Sequence, residues 1–160
     1  MSGAATGIRK AVEKDAKQLD GIIGKEFAYK KLDEEKIAER MRRPEITVFK
    51  KMAGGELAGF IEIEIFQDIA MINAISVKEG HRRKGFGKQL LGHALGFLAE
   101  NGVRTARLLV KNHNEKAKKL YSSFGFAFTE MHDRKIDGHA AEVWEKELAQ
   151  QAARESEYLN

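Results

Sequence analysis

The sequence predicts an α+β (mixed α/β) protein of about seven strands and about four helices. Three observations predict it. Short runs rich in Val, Ile and Phe stop at turn residues; longer stretches of Lys, Glu, Ala and Leu carry an apolar residue every third or fourth position; and the middle of the chain runs strand, loop, helix, strand, helix. The 160 residues contain no internal repeat, no low-complexity block and no Pro/Gly/Ser linker, and Pro44 is the only proline. A chain of this length buries roughly 70% of its unfolded surface within one core. A single domain over 1–160 is expected, with flexible ends at 1–5 and 150–160.

The elements follow in order. "GIRKAV" reads as a first strand, and residues 13–43, with Leu19, Ile22, Ile23, Phe27, Leu32, Ile37 and Met41 at helical spacing, read as one or two helices. "ITVFKKM", Gly54 and Gly55, then "ELAGFIEIEIFQ" form a hairpin pattern. "IAMINAISVK" is a further, largely buried strand. "KQLLGHALGFLAEN" places apolar residues at 90, 91, 94, 95, 97 and 98 on a helical stripe that Gly102 ends. "RTARLLVK" is again a strand, "NEKAKKLYSSFGF" again a helix, and residues 127–148 read as two strands around "KIDGH". The strand–helix–strand unit in the middle requires parallel strands and a right-handed crossover.

Composition removes several classes of function. There is no cysteine, hence no disulfide framework, thiolate metal site or cysteine nucleophile. No apolar run approaches the roughly 20 residues that span a bilayer, and "MSGAATG" lacks the layout of a secretory signal, so a soluble, cytoplasmic protein is expected. Lys and Arg total 28 against 24 Asp and Glu, a formal charge of +4 with most basic residues interleaved with acids. A nucleic-acid surface would need basic and aromatic residues spread together, and the 8% of aromatic residues fall largely at core positions.

The exception is "HRRKGFGKQLL", residues 81–91, at the carboxyl end of a strand, where open α/β sheets bind ligands. A helix starting near Phe86 leaves its first backbone N–H groups unpaired and partly positive, which suits phosphate oxygens. Gly85 and Gly87 remove Cβ atoms from the approach, and Arg82, Arg83, Lys84 and Lys88 add charge. These features suit a pyrophosphate. The loop is not a Walker P-loop, because Lys88 is followed by Gln89 and residue 82 is no glycine. It is not a dinucleotide fingerprint either, because Leu90 stands where a third glycine is required and Val110 and Lys111 where an acid is. Taken alone, the segment fits a solvated basic turn equally well.

After the next strand, "LLVKNHNEKAKKLYSSFGF" places Asn114 to cap a helix with Ala117, Leu120, Tyr121 and Phe124 on its inner face. With this second block the chain resembles the GNAT superfamily of N-acetyltransferases, closely over 69–128 and elsewhere by order of elements. "RRKGFG" meets the family's Gln/Arg-x-x-Gly-x-Gly/Ala signature at Arg82, Gly85 and Gly87, and Val77 ends the strand five residues earlier. Asn114, Ala117, Leu120, Tyr121, Gly125 and Phe126 match the second block. The chain departs from many members at Glu79, where they carry proline, and at Arg83, where they carry glycine. Leu109 stands where some amino-terminal acetyltransferases carry glutamate.

The resemblance implies a central mixed, mostly antiparallel sheet with splayed parallel strands at a cofactor cleft, and acetyl-CoA as acetyl donor. It implies that backbone groups of Ile75, Ser76 and Val77 pair with the pantetheine arm. Arg82, Arg83, Lys84, Gly85, Phe86, Gly87 and Lys88 would then hold the pyrophosphate, and Asn114 the arm. A backbone N–H near Ala74 or Ile75 would serve as oxyanion donor. Tyr121 is implied as proton donor to the leaving thiolate, against the alternative of a core tyrosine on a helical stripe.

Attack by an amine on a thioester poses a proton problem. A lysine-like amine is neutral about once in a thousand molecules near neutral pH, at a cost of roughly 4 kcal/mol, whereas an α-amine costs roughly 1 kcal/mol or less. A general base matters in the first case. Strict alternation in "IEIEIF" puts Glu62 and Glu64 together on one strand face, which reads either as paired base candidates or as a solvated face. Asp68 and Asn73 stay open as further candidates. His81 is expected to aid the phosphates, His93 to lie at a helix surface or edge, and the spacing of His132, His139, Asp133 and Asp137 matches no standard ligand set, so no metal is expected.

Two functions are carried forward: transfer of acetyl to a primary amine by direct attack in a ternary complex, and a non-catalytic acetyl-CoA-binding sensor or interaction module. The presence of Asn114 and Tyr121 favours the first. The acceptor, a small-molecule or protein amine, is implied to meet residues 15–43 and 131–139. A homodimer through the last strands or the "QQAARESEYLN" tail is a further expectation, and no nucleic-acid or membrane partner is expected.

Overall fold

The computed structural model describes residues 7–149, so the expected flexible ends at 1–5 and 150–160 lie outside the described residues. Seven strands and four α-helices follow one another as expected: β1 (Ile8–Lys10), α1 (Ala16–Glu26), α2 (Glu34–Met41), β2 (Ile46–Ala53), β3 (Glu56–Phe66), β4 (Ile69–Val77), α3 (Phe86–Glu100), β5 (Thr105–Lys111), α4 (Glu115–Ser123), β6 (Ala127–Met131) and β7 (Ala141–Glu147). Strand neighbours run β1-β2-β3-β4-β5-β7-β6. The chain divides into two compact units, one of residues up to Glu64 with Asn73–Ala94, the other of Ile65–Ile72 with residues from Leu95 onward.

In the first unit β2 pairs antiparallel with β1 (Ile8↔Lys51 to Lys10↔Phe49) and with β3 (Ile46↔Glu64 to Ala53↔Glu56). Gly54 and Gly55 close the β2–β3 hairpin with φ of 59° and 79°, the left-handed pair a two-residue turn requires. The span 13–43 holds two helices rather than one, because Phe27 leaves helical backbone and a 3₁₀ turn at Ala28–Lys30 runs into left-handed Lys31 (φ 51°). Asp33 then caps α2, its carboxylate accepting from the Lys36 N–H at 2.9 Å. Leu19, Ile22 and Ile23 of α1 and Ile37 and Ala38 of α2 pack with Ile46, Val48, Leu57 and Phe60 in one core.

In the second unit Ile69–Ile72 of β4 pair parallel with Thr105–Leu108 of β5, and the ladder stops there although β4 continues to Val77 and β5 to Lys111. β7 lies antiparallel to β5 (Thr105↔Glu147 to Lys111↔Ala141) and to β6. The expectation of a largely buried β4 is corrected: only Ala70 and Ile72 are buried, and residues 73–77, past the parallel pairs, are half-buried.

Gly59, inside β3, shows how closely the first unit is fitted behind the loop. A Cβ there would stand 2.6 Å from the Ser76 carbonyl oxygen and 3.2 Å from Val77 Cα, so backbone must yield. Gly59→Ala is expected to destabilise the protein by about 1–3 kcal/mol, read as a lower urea midpoint with an unchanged m-value.

Candidate active site

The basic loop forms a compact bend. β4 ends at Val77, a 3₁₀ turn covers Glu79–His81, and left-handed backbone at Arg83 (φ 65°) and Gly85 (φ 80°) delivers the chain into α3. Arg83 thus occupies a conformation that favours glycine, at a cost of roughly 1–2 kcal/mol. The first helical bond of α3 runs from Gln89 N–H to the Gly85 carbonyl at 3.1 Å, so the amides of Phe86, Gly87 and Lys88 precede the ladder. A Cβ on Gly85 would meet nothing within 4 Å, which leaves the approach to these amides open. Arg83, Lys84 and Lys88 are exposed around it. A pyrophosphate fits this donor set.

Arg82 is turned elsewhere. Its Nε donates to the Val77 carbonyl at 2.9 Å and its Nη2 to Glu26 Oε1 at 2.6 Å, bracing the loop against the strand end and α1. His81 pairs through Nε2 with Glu56 and stacks on Phe86. Gly21, Ile22, Lys25 and Glu26 of α1 and Lys78, Glu79 and Gly80 line a cavity of about 550 Å³ beside this bend.

Further along the first unit, β3 presents Glu62 and Glu64 on one face while Ile61 and Ile63 are fully buried on the other. Asn73 of β4 joins the two carboxylates, its Nδ2 donating to Glu62 Oε2 at 2.7 Å and to Glu64 Oε1 at 2.9 Å. Arg40 of α2 grips Glu62 through Nη2 (2.7 Å, Oε2) and Nε (3.3 Å, Oε1). That bond raises the guanidinium pKa, with burial opposing. Lys30 lies opposite, its Nζ donating to the Asn73 carbonyl at 3.3 Å. Burial lowers its pKa most; Glu62 acts against that and Arg40 with it.

In the second unit Asn114 caps α4 as expected, its Oδ1 accepting from the Ala117 N–H at 3.1 Å, which leaves the Nδ2 donor outside the cap. Tyr121 is buried on the inner face of α4, edge-to-face with Phe126 at 6.0 Å between ring centroids. Burial pushes its phenol pKa up to about 12, so it carries its proton at neutral pH. Lys118 of α4 pairs with Glu142 of β7 at 2.6 Å. Among the described residues no helix is long and apolar enough to cross a membrane, and no three His, Asp or Glu are grouped to hold a metal ion.

The model of the Acetyltransferase (GNAT) family matches residues 9–126, a span that holds both the bend and the capped tyrosine helix. The chain belongs to the GNAT family. Among its GNAT relatives, streptothricin acetyltransferase of Streptomyces lavendulae is 37% identical over 92 residues, covering 56% of this chain and 49% of the relative. The [ribosomal protein bS18]-alanine N-acetyltransferase of Escherichia coli K12 is 35% identical over 78 residues, covering 49% and 53%. The matched stretch spans about half the length of these relatives. The crystal structure of the E. coli S18-alanine enzyme superposes with a TM-score of 0.79 at 23% identity, covering 89% of this chain and 94% of that one. PaiA N-acetyltransferase of Thermoplasma acidophilum in complex with coenzyme A superposes with 0.74 at 23%, covering 88% and 97%. These two likenesses establish the GNAT fold.

Against that GNAT frame, the expected base candidates Glu62 and Glu64 do meet, through Asn73. Asp68 turns its carbonyl oxygen to the Arg104 and Thr105 N–H groups. Sequence reasoning missed Arg40, Lys30 and Glu26. Their only signal was charge within an amphipathic stretch, which names no partner.

Arg40→Ala strands the half-buried Glu62 carboxylate and is expected to cost about 1–3 kcal/mol in urea unfolding, with Arg40→Lys restoring only part because it lacks the two-pronged contact. The Tyr121 phenol is expected as a component near pH 12 in an absorbance titration, absent from Tyr121→Phe. Because the unfolded phenol ionises near 10, its contribution to stability is whole below about pH 10 and is lost as pH rises toward 12.

Proposed function

We propose that this chain, as a single N-acetyltransferase domain, transfers an acetyl group from acetyl-CoA to a primary amine by direct attack. The observation that carries the reading is the bend at 82–87, in which left-handed Arg83 and Gly85 open the first amides of α3 to an anion directly after β4. The co-substrate supplies an acetyl thioester. Phe86, Gly87 and Lys88 offer their N–H groups, and Lys84, Arg83 and Lys88 their charge, to its pyrophosphate; Arg82 holds the bend in place. Backbone groups of Ile75, Ser76 and Val77 serve the pantetheine arm, supported by their position past the end of the parallel ladder, and the Asn114 Nδ2 offers a further donor.

Glu64 takes the proton from the acceptor ammonium. It is preferred to Glu62 because both Glu62 oxygens already accept hydrogen bonds from Arg40, whereas Glu64 is held by the Asn73 amide alone among the contacts described. Glu62 then orients Asn73, and Asn73 orients Glu64. Tyr121, protonated at neutral pH, delivers a proton from its phenol oxygen to the departing sulfur. The Ala74 or Ile75 N–H faces the acyl oxygen as charge develops.

The test is thiol release with acetyl-CoA across a panel of amines. Glu64→Gln is expected to lower kcat/KM for lysine-like amines by about 10²-fold or more, and for α-amines less, because their neutral fraction is already large. Tyr121→Phe is expected to lower kcat toward or below the low end of the 10²–10⁴ range with little change in cofactor affinity. Neutralising Lys84 and Lys88 is expected to weaken cofactor affinity and make it less salt-sensitive. Tight cofactor binding without turnover on any amine would make the chain a sensor, and no binding would refute the reading of the bend.

A further inference from the structure

Lys30 is a charged group for which the proposed reaction has no use. It ends the 3₁₀ turn Ala28–Lys30, and left-handed Lys31 bends the chain away immediately after it. The Lys30 side chain runs back over the Phe27 ring, with Nζ 5.0 Å from the ring centroid, and reaches the Asn73 carbonyl of β4 at 3.3 Å. The position of Asn73 is in turn fixed by its two bonds to Glu62 and Glu64. A primary amine is thereby held at the strand residue that precedes Ala74 and Ile75, within the field of Glu62 and on the residue whose amide bonds Glu64.

We propose that Lys30 is a modification site of this protein, acetylated on Nζ by its own chain. The inference rests on the acetyltransferase reading above. In the step, Glu64 or water takes one proton from the Lys30 ammonium, and the freed nitrogen lone pair forms a bond to the acyl carbon of bound acetyl-CoA. The carbon–sulfur bond breaks with its electron pair passing to sulfur, the nitrogen gives up its second proton to water, and the thiolate takes up one proton. The products are Nε-acetyl-lysine at position 30 and the free thiol. The crowding that lowers the Lys30 pKa enlarges the neutral share of this amine over that of an ordinary lysine.

Lys31 supplies an internal standard, being the same chemical group one residue away with its backbone carbonyl, not its amine, engaged by Lys36. The full-length protein is incubated with acetyl-CoA and no acceptor, followed by intact mass and mapped by fragmentation. One acetyl increment is expected, at Lys30, at a rate constant independent of protein concentration and at least about tenfold above that of Lys31, a small part of what positioning supplies. Lys30→Arg should abolish the fast increment. Labelling of Lys30 no faster than Lys31, equal labelling in the urea-unfolded chain, or a rate that rises with protein concentration would overturn the proposal. The amine panel separates the two readings: thiol release on added amines with Lys30 unmodified overturns this inference alone, and no thiol release with any acceptor overturns both.

Discussion

Two carboxylates on one face of β3 set the terms for the first unit. Alternation forces Glu62 and Glu64 to the same side because Ile61 and Ile63 claim the other, and like charges so placed repel unless something comes between them. The Asn73 amide does so, spending both of its Nδ2 hydrogens, one on each glutamate. Arg40 brings α2 onto the pair, and Lys30 brings the preceding turn. Glu62, Glu64, Asn73 and Arg40 are each partly withdrawn from water, and each is tolerable because the others are present. The cluster therefore couples the two early helices to β4 through polar contacts, while Leu19, Ile22, Ile37 and Phe60 do so through the core.

The bend after β4 divides its work between backbone and side chains. Amides at the start of α3 are fixed in direction by the helix, so an anion that met them would cost them no freedom. Exposed Arg83, Lys84 and Lys88 supply charge without fixed geometry. Arg82 belongs to neither group: bonded to Val77 and Glu26, it keeps a glycine-containing segment from relaxing into an ordinary loop.

In the second unit a single helix turn serves two ends. Asn114 satisfies an orphan amide of α4 with its Oδ1 and leaves its Nδ2 donor outside the cap. Burial of Tyr121 holds the phenol neutral far above physiological pH, which is the protonation state a donor needs and also the state a packed core prefers.

The sequence by itself determined the succession of elements, the antiparallel hairpin closed by Gly54 and Gly55, the cap at Asn114, the pairing of Glu62 and Glu64 on one face, and the family. All of these follow from periods of two and 3.6 residues or from contiguous motifs, where the interacting groups lie within a few positions of one another. Burial of β4 was misread because an apolar run carries no record of where its neighbour stops pairing. Only the tertiary structure decided that Arg40 meets Glu62, that Glu26 takes Arg82, that Lys30 reaches Asn73, and that His81 turns to Glu56. These partners are separated by 22 to 56 residues, and a surface charge carries no period by which to name its partner. Which opposite charge it finds is settled by how the helices and strands that carry them pack.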